Sequence, residues 1–228
     1  MICKYSGIGT RHATCGGENE DAICTRENDR YTAISLADGI SACRRARAGA
    51  EIASEAMSNL LAERGKYLLD FPRQGVVEVA ISHILNKLQR QADQETGAVE
   101  DYSSTVTGVL FDRQERRLLC FNLGDGMILA QTGGQSQILS MPSDSFSGCC
   151  ATTTRNAGRM AKVKVAETDR MGSVLLCSDG AWRQMFDRNR LKPAVSSLLV
   201  NHDWKGLETY LSRQQCPDDY SFAALDFN

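Results

Sequence analysis

Residues 31–39 read YTAISLADG, a run of strand-forming residues that ends at Asp38-Gly39. The same design recurs at residues 118–126, which end in Gly124-Asp125-Gly126, and at residues 174–180, which end in Ser178-Asp179-Gly180. A carboxylate there projects from the end of a strand, and the glycine lets backbone or a ligand approach closely. Three such strand ends, far apart in the chain, predict one site assembled from several strands.

Further acidic residues stand beside other apolar runs. Glu20 and Asp21 precede the first predicted strand, and Asp218-Asp219 precede the last. A single Asp-Gly pair is most often an ordinary turn, so the prediction depends on all of these acids together. Converging carboxylates favour Mg²⁺ or Mn²⁺ over zinc, because these ions prefer oxygen ligands.

The composition is that of a globular protein. The chain has 228 residues, of which 42% are hydrophobic and 24% charged, and no linker or repeat divides it, so we expect one domain over residues 1–228. A net charge of −2 gives no electrostatic reason to expect a nucleic-acid partner. No apolar run is long enough for a membrane span and no signal-peptide pattern begins the chain, which predicts a cytoplasmic protein without membrane contact.

Nine cysteines occur, an odd number without any Cys-x-x-Cys pair. Zinc sites and disulfide frameworks normally show paired spacing, so we interpret these residues as reduced, mostly buried thiols. The adjacent Cys149-Cys150 leaves a redox-active pair open as the alternative.

Apolar spacing predicts two helices followed by short strands. Residues 46–60 repeat apolar positions every three or four residues, with Ser41 as N-cap and Gly65 as the end, and a second helix covers residues 72–94. An opening β segment is predicted at residues 23–36, broken by a polar turn at residues 27–29. Further strands are predicted at residues 105–111, 118–123, 127–131, 135–139, 163–165, 173–177 and 221–227, with hairpin signals at residues 112–116, Gly124-Asp125-Gly126 and Gly133-Gly134. Residues 140–159 are predicted as a long loop, and residues 191–199 and 204–213 as helices. Elements that come in blocks favour α+β with antiparallel sheets.

Common catalytic signatures are missing. The chain has three histidines, and it lacks the Gly-x-Ser-x-Gly, His-Glu-x-x-His, phosphate-loop and dinucleotide-binding motifs. Acyl-transfer, zinc-protease, ATP-hydrolysing and dehydrogenase functions therefore lose their usual support.

Six short motifs follow one another along nearly the whole chain: Asn19-Glu20-Asp21, Ala37-Asp38-Gly39, Ser103-Ser104-Thr105, Gly124-Asp125, Ser178-Asp179-Gly180 and Asp218-Asp219-Tyr220-Ser221. Their order resembles the protein phosphatase 2C family of metal-dependent serine/threonine phosphatases. The resemblance implies a four-layer αββα sandwich, in which two antiparallel sheets packed face to face are flanked by helices. It also implies a phosphoprotein substrate. Separately from the resemblance, we expect a monomer.

The resemblance further implies a centre of two Mn²⁺ or Mg²⁺ ions, with a third as an option. Asp38 would bridge both ions, and Asp179 and Asp218 would complete the catalytic set. The remaining implied ligands are the carbonyl of Gly39, Glu20 and Asp21 (directly or through water), and Asp125 at the third, weaker site. Two such ions lower the pKa of a bridging water and hold it in line with phosphorus, so no protein nucleophile is needed.

The chain departs from the family at the phosphate-binding arginine, because Gly16 occupies that position. Arginine is the favoured bidentate partner of phosphate, and Arg11, Arg44 and Arg45 are the candidates to replace it. The chain also reads Ile40-Ser41-Ala42 where relatives have Met/His-Gly-Gly. Two alternatives therefore stay open: a pseudophosphatase that acts as a regulatory binding module, and a hydrolase of small phosphate esters.

Overall fold

The computed structural model describes residues 1–143 and 151–227. Its strands are β1 Ile2–Gly7, β2 Asp21–Glu27, β3 Tyr31–Asp38, β4 Val106–Asp112, β5 Arg117–Leu123, β6 Met127–Thr132, β7 Gln135–Ser140, β8 Lys162–Glu167, β9 Met171–Cys177, β10 Phe186–Asp187, β11 Arg190–Leu191 and β12 Tyr220–Asp226. Its α-helices are α1 Thr10–Cys15, α2 Ala46–Asp70, α3 Arg73–Gln94, α4 Ala157–Met160, α5 Asp179–Met185, α6 Pro193–Val200 and α7 Trp204–Ser212. A short 3₁₀ turn covers Val99–Tyr102.

Two five-stranded antiparallel sheets form the centre of the fold. One has the order β2-β3-β4-β5-β8 and the other β1-β12-β9-β6-β7, while β10 and β11 make a small separate hairpin. The α+β prediction and the αββα architecture are confirmed.

Three apolar clusters hold four layers together. Helices α2 and α3 pack on the outer face of the β2–β8 sheet, the two sheets pack on each other, and α5, α6 and α7 cover the outer face of the second sheet. Strand β3 shows how the sequence produces this arrangement, because Ala33 faces α2 while Ile34 and Leu36 lie between the sheets. Alternate residues of a strand point to opposite faces, so a strand covered on both sides is apolar almost throughout.

The turn at Gly133-Gly134 is confirmed as a hairpin between β6 and β7. Both glycines have positive φ, 58° and 78°, which suits the twist of a two-residue hairpin. The hairpin predicted at Gly124-Asp125-Gly126 is wrong. Strand β6 pairs with β7 and β9 rather than β5, so the chain crosses from one sheet to the other at Asp125.

Helix α2 differs from its prediction at both ends. It begins at Ala46, five residues after the expected cap at Ser41, and it continues past Gly65 to Asp70 with a local distortion at Arg64. A Cβ atom at Gly65 would lie 2.9 Å from the ring of Tyr31, so this glycine permits close packing on β3 rather than ending the helix.

The terminal and loop regions also differ from expectation. Elements β1, α1 and α5 were not predicted, and the expected loop at 140–159 contains α4. The rest of that loop prediction, and the question of Cys149-Cys150, falls on residues 144–150, outside the described residues. The seven cysteines in the described parts are unpaired, with Cys120, Cys177 and Cys216 buried and the others partly or fully exposed. No helix in those parts is long and apolar enough to cross a membrane.

Candidate metal centre

Five of the predicted acids meet at one end of the sandwich. Asp21 begins β2 and Asp38 ends β3, and the two are direct partners in the antiparallel register. The three others lie at strand ends of the second sheet or the crossing into it: Asp125 before β6, Asp179 after β9 and Asp218 before β12. The charges of Asp21, Asp179, Asp125 and Asp218 all raise the pKa of Asp38, although burial contributes more. Like charges so close together disfavour simultaneous ionisation.

Asp21 is among the most enclosed of these acids. Its side chain is buried, and neither carboxylate oxygen accepts a hydrogen bond of normal geometry. Burial raises its pKa to about 7; the nearby hydroxyls of Ser221 and Ser178 partly oppose this rise, and the charges of Asp219 and Asp179 add to it. Buried carboxylate oxygens without hydrogen bonds lower the stability of the folded protein, and a bound cation would offset that effect.

Of the two carboxylate oxygens of Asp179, one is paired with an arginine and the other has no hydrogen-bond partner. Asp179 is the first residue of α5, and its Oδ2 pairs with Nη1 of Arg183, one helical turn later, at 2.7 Å. Its Oδ1 is buried and accepts no hydrogen bond. Burial and the charge of Asp125 raise the pKa of Asp179 to about 6, while Arg183 opposes the rise.

Asp125 occupies the crossing between the two sheets. Its backbone carbonyl accepts a hydrogen bond from Nε1 of Trp182 at 2.8 Å, which ties the crossing to α5. Burial raises the pKa of the Asp125 carboxyl, Arg183 lowers it and Asp218 raises it.

Gly39 brings α2 close to the end of β3. A Cβ atom at this residue would lie 2.5 Å from the carbonyl oxygen of Ala46, so a larger residue would displace the start of the helix. The backbone around it is fixed, because Gly39 N donates to the carbonyl of Glu20 at 3.1 Å and Thr105 N donates to that of Asp38 at 2.8 Å. These bonds connect three of the sequence motifs at one point.

Asp219 anchors the segment that leads to Glu20 and Asp21. It is buried, and it accepts hydrogen bonds from Gly9 N at 2.7 Å, Glu20 N at 2.6 Å and His12 Nδ1 at 2.9 Å. The other ring nitrogen of His12 lies 3.6 Å from Oε2 of Glu20. Burial lowers the pKa of His12, but the hydrogen bond to Asp219 and the neighbouring acidic charges outweigh it, so this pKa is raised. The sequence motifs drew attention to Asp218-Asp219, but no local signal pointed to His12.

The predicted phosphate-binding arginines lie apart from these contacts. Arg11 and Arg44 are exposed, while Arg45 pairs with Glu95 and its guanidinium carbon lies 5.7 Å from the centre of the Tyr102 ring. The basic residue that acts on the acidic cluster is Arg183, which was not predicted. Its four-residue spacing from Asp179 is a usable signal only once α5 is known to begin there.

The donor set fits a hard divalent cation. Buried oxygens without hydrogen bonds occur on Glu20, Asp21 and Asp179, and all five clustered groups are carboxylates. Within residues 1–143 and 151–227, however, no three His, Cys, Asp or Glu side chains converge on a point that could hold one ion. Mg²⁺ usually keeps several waters and takes only one or two carboxylates, so this spacing agrees with water-rich coordination rather than a closed protein cage.

Comparisons with known proteins agree with the fold. The model of the family described as protein phosphatase 2C matches residues 8–214. The serine/threonine phosphatase Stp1 from Staphylococcus aureus is 14% identical with a TM-score of 0.69, over 99% of this chain and 94% of that one. The Mycobacterium tuberculosis serine/threonine phosphatase PstP/Ppp is 17% identical with a TM-score of 0.66, over 99% and 97%. RsbX, crystallised in complex with magnesium, is 15% identical with a TM-score of 0.60, over 98% and 92%. No curated protein sequence matched the chain.

Proposed function

The chain belongs to the protein phosphatase 2C family, and from this premise we propose that it is an active Mn²⁺- or Mg²⁺-dependent phosphatase of phosphoserine and phosphothreonine in proteins. The observation that carries the proposal is the register pairing of Asp21 with Asp38, beside Asp125, Asp179 and Asp218. Burying several carboxylates together is destabilising unless cations offset their negative charge.

We assign the metal-binding role to Asp38, Asp21, Asp179 and Asp218, with the carbonyl of Gly39 and the carboxylate of Glu20 in support. The magnesium complex of the structurally similar RsbX supports this choice of ion class. Bound ions of this kind activate a water molecule and offset the negative charge that gathers on the phosphoryl oxygens in the transition state.

The chain's own residues prepare the centre for such ions. Asp21 and Asp179 are buried and so lie out of bulk water. Their carboxylates attract a cation more strongly there than they would in water. Asp219 acts as a positioning residue, because its three hydrogen bonds hold the Gly9–Glu20 segment against the strand ends.

The test is hydrolysis of a phosphopeptide and of an aryl phosphate with Mn²⁺, before and after EDTA. Asp38→Asn keeps the shape of the side chain but removes its charge, so we expect kcat/KM to fall by at least ~100-fold together with Mn²⁺ affinity. The matched control is Asp29→Asn, an exposed acid in the turn at the far end of the β2–β3 hairpin, which should leave both quantities unchanged. Turnover that survives EDTA and Asp38→Asn would refute the proposal.

A pseudophosphatase is the second candidate. It is favoured by the positions of the predicted arginines, since Arg45 is engaged with Glu95 and Arg11 and Arg44 make no contact with the acids among the described interactions. Mn²⁺ binding without turnover of either substrate would establish it. A higher kcat/KM for the aryl phosphate than for the phosphopeptide would instead indicate a hydrolase of small esters.

A further inference from the structure

Arg183 is a fixed cation at one edge of the acidic cluster. Its Nη1 lies 2.7 Å from Oδ2 of Asp179, and its guanidinium carbon lies 5.6 Å from the centre of the Trp182 ring. The indole nitrogen of the same Trp182 donates to the backbone carbonyl of Asp125 at 2.8 Å. The ion pair, the ring contact and the indole hydrogen bond together hold the guanidinium beside Asp125 and Asp179.

This placement divides the cluster into two parts. On one side, Asp21 has two oxygens and Asp179 has one, Oδ1, that are buried and accept no hydrogen bond. On the other side, Oδ2 of Asp179 is already paired with Nη1 of Arg183 at 2.7 Å. A guanidinium stays charged at every ordinary pH, so this compensation is permanent.

We propose that Arg183 takes the place of a metal ion on the Asp125 side of the cluster. Asp179 then offers a single oxygen to metal, and Asp125 stays outside the metal-binding set. The inference rests on the proposed function, because it concerns the number of ions in that same centre. Its physical reason is repulsion: a divalent ion bound between Asp125 and Asp179 would lie within a few ångströms of the positive charge of Arg183.

The experiment counts Mn²⁺ ions per chain by equilibrium dialysis, with free Mn²⁺ followed by electron paramagnetic resonance. For the wild type we expect binding to saturate at about two ions. Arg183→Met removes the charge but keeps much of the apolar stem, and it should add about one further, weaker site. Arg183→Lys retains a cation and should bind as the wild type does. Adding Asp125→Asn to Arg183→Met should abolish the extra site.

The control variant is Arg170→Met, an exposed arginine in the turn between β8 and β9, at the opposite end of the sandwich. It should leave the count unchanged. Arg183 is itself half-exposed, and circular dichroism of each variant checks that the fold is retained.

Three outcomes would overturn the inference while leaving the phosphatase proposal intact. These are a third ion bound by the wild type, an unchanged count in Arg183→Met, and an extra site that survives Asp125→Asn. An unchanged count with a KM for phosphopeptide raised at least ~10-fold would assign Arg183 to phosphate binding instead. A wild type that binds no Mn²⁺ would refute the proposed function and this inference together.

Discussion

Metal binding by this protein should release protons, and the amount should depend steeply on pH. The perturbation is addition of Mn²⁺ to metal-free protein at pH 6 and at pH 8. Burial raises the pKa of Asp21 to about 7 and that of Asp179 to about 6, so both carboxyls are partly protonated in the folded protein near neutrality. Because a metal ion binds the ionised carboxylate, each bound proton must leave.

The magnitude follows from these two pKa values. At pH 6, Asp21 carries ~0.9 of a proton and Asp179 ~0.5, whereas at pH 8 the two together carry ~0.1. We therefore expect ~1.4 protons to be released at pH 6 from this pair, and the apparent binding constant to rise ~25-fold per pH unit there. Asp38, whose pKa is also raised, adds to the release.

Because the same carboxyls lose their protons as the pH rises, the metal-free protein should be less stable at higher pH. The folded pKa values of Asp21 and Asp179 lie above the unfolded value of 3.8, so the folded state binds more protons between about pH 4 and pH 7. Their contribution to stability is most favourable below about pH 4 and is lost as the pH rises through about 6 to 7. These groups therefore lower the Tm of EDTA-treated protein at pH 8 relative to pH 5, and saturating Mn²⁺ should reverse that loss.

Titration calorimetry in two buffers with different ionisation enthalpies measures the released protons directly. Asp21→Asn should lower the number of protons released at pH 6, while Asp29→Asn, in an exposed turn, should change nothing. Fewer than ~0.3 protons released by the wild type at pH 6, or equal release at pH 6 and pH 8, would refute the assignment of these buried carboxyls as metal ligands.

Two further predictions concern Asp219, which positions the segment before Asp21, and Gly49, where α2 packs closely against Tyr102. Asp219→Ala removes the acceptor of three hydrogen bonds, so it should lower the free energy of unfolding by ~1–3 kcal/mol. It should also speed tryptic cleavage after Arg11. An unchanged cleavage rate would show that other contacts hold the Gly9–Glu20 segment. Gly49→Ala places a Cβ atom 2.2 Å from the carbonyl oxygen of Tyr102, so we expect a net loss of ~1–3 kcal/mol in chemical denaturation despite the better helix propensity of alanine. Gly158→Ala in α4 is the matched control, since its nearest neighbouring atom would be 3.9 Å away, and equal effects of the two substitutions would contradict the steric argument.

Most of the strands and helices were predictable because their signals are local. The continuous run of buried strand-forming residues in β3 and the three- and four-residue spacing in α2 are consequences of strand and helix geometry, and each depends on residues close together in the chain. The errors occurred where a distant partner decided the outcome. Gly65 was predicted as a helix end, but its role depends on the Tyr31 ring packed against it.

The prediction of a hairpin at Asp125 was wrong for the same reason. Gly124-Asp125-Gly126 has the composition of a hairpin turn, and only the pairing of β6 with β9 shows that the chain changes sheets there. Turn composition reports local backbone preference, whereas sheet membership depends on which strand buries its faces against which partner.

The sequence by itself determined the family and the αββα class and predicted the set of acids from Glu20 to Asp218, since short motifs in a definite order can be recognised without coordinates. Only the tertiary structure decided which charges act on one another. It placed His12 on Asp219 across 207 positions of sequence, and it put Arg183, rather than Arg45, beside the acids. The physical reason is that electrostatic interactions depend on distance and burial in space, and both are set by strand pairing and helix packing rather than by separation along the chain.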